Sequence, residues 1–169
     1  MKRMTTRQLT LCAMLAALAL GLSYLENFFP VLPLPGARLG LANLVTVFAL
    51  YALGPLPALA ILLVRCFLGS LFAGNLNALI FSLLGGLAAM GTMTVLSRSR
   101  KLSLYGVSMG GAAAHNCGQV LAAVITLGNT APVGYLPLLL WISLFTGALT
   151  GALAAALFRA LAHTNLMKT

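Results

Sequence analysis

The chain has 169 residues, of which 61% are hydrophobic and 7% charged, and a formal net charge of +9. A soluble domain carries roughly 25% charged residues, so this chain cannot cover its surface with polar groups in water and reads as an integral membrane protein. Glu26 is its one acidic residue, which argues against enzymes that hold a divalent metal through clustered carboxylates.

About twenty apolar residues cross a bilayer, and six stretches qualify, at about 9–29, 39–53, 56–73, 77–97, 106–127 and 136–161. The expected architecture is therefore all-α, a single transmembrane domain over residues 1–169. The first stretch follows a basic start like a secretory signal, but its apolar run is longer than a signal core and more spans follow. It reads as a retained first span. "NFFPVLPLPGAR" then gives a stiff, extended first connection. The second stretch is short, since some fifteen residues rise only roughly 22 Å, so it is tilted into protein, extended at an end, or not a full span. "LGPLP" sets Gly54 after one helix and Pro55 at the start of the next. "AGNLN" makes a tight turn and "LGNTAPVGY" a longer one.

With six spans, Lys2, Arg3, Arg7, Arg98, Arg100, Lys101, Arg159 and Lys168 all fall on one side. The positive-inside rule makes that side, and both termini, cytoplasmic. The basic balance thus reports topology and no nucleic-acid partner. Arg38 and Arg65 alone break the pattern. Arg65 lies about eight residues, or roughly 12 Å, below the outer surface, where an arginine costs at least about 2.5–3.5 kcal/mol and faces a bundle interior or a water-filled cavity.

Other polar residues share its half of the membrane. Glu26 sits near the outer end of the first span, Asn43 lies one to two turns into the second, and Asn75 and Asn77 cap the third connection. Gln119 stands at the depth of Arg65 with His115 one turn deeper. His115 and Gln119, at i and i+4, share a helical face, while Asn116 points about 100° away. Glu26 and Arg65 could form an ion pair that only locks two helices, and His115 could serve interhelical hydrogen bonding. Taken together, Glu26, Arg38, Asn43, Arg65, Asn77, His115, Asn116 and Gln119 read as a pocket for an anionic ligand, since guanidinium groups recognise phosphate and carboxylate. No catalytic residue, cofactor or metal site is expected. Cys12, Cys66 and Cys117 stand singly in apolar runs, and His163 lies at the cytoplasmic end, far from His115.

Small residues recur at i+4 spacing. Gly106, Gly110, Ala114, Gly118 and Ala122 line the fifth span, Gly147, Gly151 and Ala155 the sixth, and Ala13, Ala17 and Gly21 the first. Such stripes let backbones approach closely. For the first span, spacing alone leaves open whether the neighbour is this chain or a partner.

Four segments carry a resemblance: "PGARLGLANLVTVFALY" (35–51), "FSLLGGLAAM" (81–90), "GVSMGGAAAHNCGQVLAA" (106–123) and "YLPLLLWISLFTGALTG" (135–151). "LGLAN" and "GAAAHNCGQ" are the specific ones. The chain resembles bacterial membrane proteins called heptaprenyl diphosphate synthase component I, or the Gx transporter family. Its six spans and Ala13-x-x-x-Ala17 also look like the substrate-binding S-components of energy-coupling factor (ECF) transporters. The resemblance implies a multi-pass protein of the bacterial cytoplasmic membrane with a ligand pocket near the outer face. It nominates Arg38, Asn43, His115, Asn116 and Gln119 for that pocket, and Ala13 and Ala17 for docking on a transmembrane coupling subunit driven by two ATPases.

The enzymatic half of the family name fits the residues poorly. A prenyl diphosphate synthase needs clustered aspartates, and this chain has no Asp. Nor does it contain the G-x-x-x-x-G-K-[ST] phosphate loop. Two functions are therefore expected: the ligand-binding subunit of a small-molecule importer, or a non-catalytic membrane subunit assisting a soluble prenyl diphosphate synthase. A structural subunit whose polar cluster only fixes packing is the third.

Overall fold

A computed structural model describes residues 6–26, 40–99 and 101–161. They form six α-helices: α1 Thr6–Glu26, α2 Leu41–Leu53, α3 Pro55–Ala73, α4 Leu76–Ser97, α5 Leu104–Leu127 and α6 Leu136–Leu161. A short 3-10 turn, Ala131–Tyr135, precedes α6, and there is no strand among the described residues. Every helix begins and ends within three residues of a stretch read from the sequence.

Four elements are long and apolar enough to cross a bilayer: α1, α3, α4 and the run Ala131–Ala160 that holds α6. By length and composition this is a multi-pass membrane protein. The other two helices fall short for different reasons. With 13 residues, α2 rises only about 20 Å. With 24 residues, α5 has the length, but His115, Asn116 and Gln119 dilute its apolar character.

Local chemistry sets the boundaries. A single residue, Gly54 (φ 91°, ψ 177°), joins α2 to α3. That region of backbone space is open essentially to glycine alone, and Pro55 behind it needs no N–H partner at the first helical position. Gly74 closes α3 at φ 61°, and the Asn75 side chain caps α4 by accepting from the Asn77 N–H at 2.9 Å.

Antiparallel glycine seams join α4, α5 and α6. A β-carbon on Gly118 would meet the Leu84 carbonyl oxygen of α4, and one on Gly147 would meet the Met109 Cα of α5, each at 2.5 Å. Side-chain hydrogen bonds reinforce the second seam, with Ser108 Oγ and Thr150 Oγ1 2.8 Å apart. Apolar transfer cannot drive helices together inside lipid, so close packing and such bonds carry the association.

The short α2 lies against α1, α3 and α6. Eight of its 13 residues are buried, and Phe48 stacks on Phe158 of α6 with ring centroids 4.8 Å apart. A helix wrapped in protein has no need to match the bilayer thickness.

Candidate functional site

Arg65 is buried on α3, although the helix around it is apolar. Its Nη1 donates to Ser23 Oγ on α1 at 3.3 Å, which carries the charge toward the α1 C-terminus. Gly86 of α4 packs against the same stretch of α3. A β-carbon on Gly86 would lie 3.5 Å from Arg65 Nη2 and 2.8 Å from Leu62 Cδ1.

The guanidinium borders a cavity of about 460 Å³, within the roughly 300–1,000 Å³ of small-molecule sites. Its floor is α3, with Arg65, Cys66, Gly69, Phe72 and Ala73. One wall is α1, with Ala17, Leu20, Gly21, Ser23 and Tyr24, and the other is α4, with Ala78 and Ser82. Behind the floor, the Cys66 thiol donates to the Ser82 carbonyl at 3.4 Å and ties α3 to α4. The cavity therefore joins one cation to a mostly apolar surface, with Ser23 and Ser82 as its small hydroxyls.

His115 and Gln119 share a buried face of α5, as their spacing requires, and pack over Gly85 of α4. A β-carbon there would stand 2.9 Å from His115 Cε1 and 3.1 Å from Gln119 Cγ. Neither residue lines the Arg65 cavity. A β-carbon on Gly85 would meet the His115 and Gln119 side chains, and one on the next residue, Gly86, would meet the Arg65 guanidinium.

The remaining nominated residues fall elsewhere. Asn116 turns to α6, where Nδ2 donates to the Leu139 carbonyl at 2.9 Å. Its buried amide is a link between helices. Glu26 uses Oε1 to accept the Leu41 N–H. Gly40, the α2 N-cap residue, offers no side chain for the exposed donors of that helix, so a carboxylate from α1 meets the positive end of its dipole. Asn43 lies one turn into α2, buried, with its side-chain nitrogen over Gly40. Asn77 is exposed at the start of α4. Arg38 lies outside the described residues.

Ala13, Ala17 and Gly21 are exposed along α1, and a β-carbon on Gly21 would meet nothing within 4 Å. This stripe is not consumed by packing among the described residues. Ala17 and Gly21 also edge the cavity.

Sequence reasoning missed most of the cavity wall. Leu20, Tyr24, Gly69 and Phe72 are ordinary residues of an apolar helix, and nothing local distinguishes them. Ser23, Ser82 and the Gly85-Gly86 pair carried a usable signal, because each interrupts an apolar run near the depth of Arg65.

The chain matches no curated protein and no solved structure. A family model described as heptaprenyl diphosphate synthase component I matches residues 15–157, from the third turn of α1 to the last turns of α6, and the chain belongs to that family.

Proposed function

We propose that the protein is a non-enzymatic, ligand-binding subunit of a small-molecule importer in a bacterial cytoplasmic membrane. All six helices cross, both termini face the cytoplasm, and the cavity beside Arg65 receives an anionic ligand. The observation that carries this reading is the buried guanidinium on the wall of an otherwise apolar cavity of about 460 Å³. An arginine inside a membrane faces a bundle interior or a water-filled cavity, and a guanidinium on a cavity wall can meet an anion through charge-assisted hydrogen bonds. Ser23 holds the guanidinium in place. Glu26 sets α1 against α2 and so orients the α1 wall.

Neither a phosphate loop nor clustered aspartates are present in the sequence, so the energy for transport comes from partners. The exposed Ala13, Ala17 and Gly21 stripe offers such a partner a close helix approach. A transmembrane coupling subunit with two ATPases, as in transporters of the ECF type, fits that surface.

The family match favours a second reading. A protein described as component I of a heptaprenyl diphosphate synthase suggests a soluble, aspartate-bearing synthase as the partner, with this chain as its membrane platform. The same cavity would then hold a prenyl chain and its diphosphate.

One purification separates the two. Tagged wild type and Arg65→Ala are drawn from native membranes in mild detergent, and their companions are identified by mass spectrometry. A coupling protein with paired ATPases, and an anionic small molecule extracted from wild type but depleted in Arg65→Ala, is the expected result. An aspartate-rich prenyl synthase without ATPases supports the platform. Neither companion, with identical extracts from both proteins, refutes both readings.

A further inference from the structure

Gly91 has no reason to be glycine that lies within its own chain. It stands in the interior of α4, where glycine is the poorest helix former after proline, yet a β-carbon there would meet nothing within 4 Å. The other α4 glycines differ, since a β-carbon on Gly85 or Gly86 would meet a neighbouring helix at 2.9 Å or less. No packing among the described residues asks for a missing side chain at 91, so the space over it belongs to something outside the bundle.

Its surroundings form a strip along α4. Ala89, Met90 and Met93 are buried, whereas Leu87 is 43% exposed and Val95 67%, with Gly91 and Arg98 exposed beside them. At 100° per residue, positions 87, 91, 95 and 98 fall within about 80° of arc on one face. Because α4 is long and apolar enough to cross a bilayer, this face looks onto acyl chains. Two large side chains with glycine between them leave a notch. Leu87 lies about 16 Å along the axis from Arg98, close to half of the roughly 30 Å hydrocarbon core. The strip therefore has the length of one leaflet.

Charge closes one end of it. Lys101 follows Arg98 in the turn after α4, where the Ser99 carbonyl accepts the Leu102 N–H at 3.4 Å, and both cations are exposed. Neither has an ion pair among the described residues. The chain's one acid, Glu26, is engaged at the Leu41 N–H.

We propose that this face of α4 binds an anionic diacyl phospholipid. The phosphate lies against Arg98 and Lys101, and one acyl chain lies in the notch at Gly91 between Leu87 and Val95. A zwitterionic lipid offers the same chain but brings its own ammonium, and so gains less from two cations that no carboxylate answers. The site is separate from the Arg65 cavity, whose α4 wall is Ala78 and Ser82, and holds whatever that cavity binds.

The chain's single tryptophan, Trp141 of α6, is 66% exposed and is the internal control. A reporter protein carries Trp141→Phe with Leu87→Trp, which moves the tryptophan to the far end of the strip and leaves Gly91 and both cations intact. Each full-length protein is reconstituted in phosphatidylcholine bilayers. Quenching by dibrominated phosphatidylglycerol is compared with quenching by dibrominated phosphatidylcholine. At position 87 the anionic lipid is expected to bind roughly tenfold or more tightly, from about fivefold for each cation. At Trp141 the two lipids should quench alike. Arg98→Gln with Lys101→Gln is expected to remove the preference at 87. Arg7→Gln with Arg159→Gln takes as much charge from exposed residues of α1 and α6 and should leave it in place. Gly91→Leu fills open space and should reduce the preference while both cations remain.

Equal quenching by the two lipids at position 87, or the same preference at 87 and at Trp141, would overturn the site. So would a preference that falls as far in Arg7→Gln with Arg159→Gln as in Arg98→Gln with Lys101→Gln, because the lipid would then be answering net charge and not this face. A preference untouched by Gly91→Leu would overturn the seat of the acyl chain at Gly91.

Discussion

Gly118→Ala adds one methyl group where two helices touch through their backbones. Its β-carbon would stand 2.5 Å from the Leu84 carbonyl oxygen and 2.8 Å from the Gly85 Cα, against roughly 3.5–4.0 Å for comfortable carbon contacts. Neither atom can turn away as a side chain would, so α4 and α5 must separate by roughly 1 Å. A gap of that size forfeits about a quarter to a half of each contact's dispersion well along the seam. Overpacking of this kind costs about 1–3 kcal/mol, and a backbone obstacle puts the substitution at the upper end. Alanine's better helix propensity returns about 1 kcal/mol at most, leaving a net loss of about 2 kcal/mol. Gly91→Ala on the same α4 meets nothing within 4 Å and isolates that propensity term, with an expected change between zero and about 1 kcal/mol of stabilisation. The assay is equilibrium unfolding in mixed micelles, followed by circular dichroism, of both variants beside wild type. If Gly118→Ala unfolds no more readily than Gly91→Ala, the close approach of α4 and α5 is wrong.

Gly85→Ala should fall between those two, because its β-carbon meets the His115 ring at 2.9 Å and Gln119 Cγ at 3.1 Å, side chains that can give; unfolding in the same micelles ranks the three. Glu26→Ala removes the carboxylate that accepts the Leu41 N–H and should cost about 1.5–3 kcal/mol, while Glu26→Gln, which keeps an acceptor oxygen, should recover part of it; a Glu26→Gln protein as unstable as Glu26→Ala would deny the cap. Asn116→Leu loses the bond to the Leu139 carbonyl and should cost about 0.6 kcal/mol, the average for hydrogen bonds inside membranes, with ligand binding at Arg65 unchanged; a binding defect without instability would return Asn116 to the pocket. For topology, single cysteines at Lys101 and Asn129, both exposed, are introduced into a cysteine-free chain. An impermeant maleimide applied to intact cells should label only Asn129→Cys, and labelling of Lys101→Cys would invert the orientation.

The helices were legible because their causes are local. Apolar length, Gly54 with Pro55, and Asn75 at a helix start each act within a turn or two of chain. The i, i+4 rule likewise put His115 and Gln119 on one face and turned Asn116 away from it, and in the structure the first two meet Gly85 while the third meets α6. What stayed hidden depends on distant chain. The Glu26 cap serves a helix that begins 15 residues later, and no spacing rule connects a carboxylate to a donor across an intervening loop. The α1 stripe was ambiguous for the same reason, since exposure belongs to the assembled bundle. Ala13, Ala17 and Gly21 have the same spacing as the α5 and α6 stripes, yet only the latter are closed by neighbours.

The division of the polar residues has a geometric cause that applies to any helical membrane protein read this way. Topology and a rise of about 1.5 Å per residue fix each side chain's depth, and by depth Arg65, Gln119 and His115 belong together. Depth is one coordinate of three. The angle around the bundle depends on which helices are neighbours, and here α3 and α5 both pack against α4. Arg65 and the His115–Gln119 pair therefore address different positions of that helix, Gly86 and Gly85, successive residues that point about 100° apart. Of the three, the described cavity is lined by Arg65. Among the described residues the anion-binding reading therefore starts from the Arg65 guanidinium with Ser23 beside it, and His115 and Gln119 lie against the neighbouring position of α4.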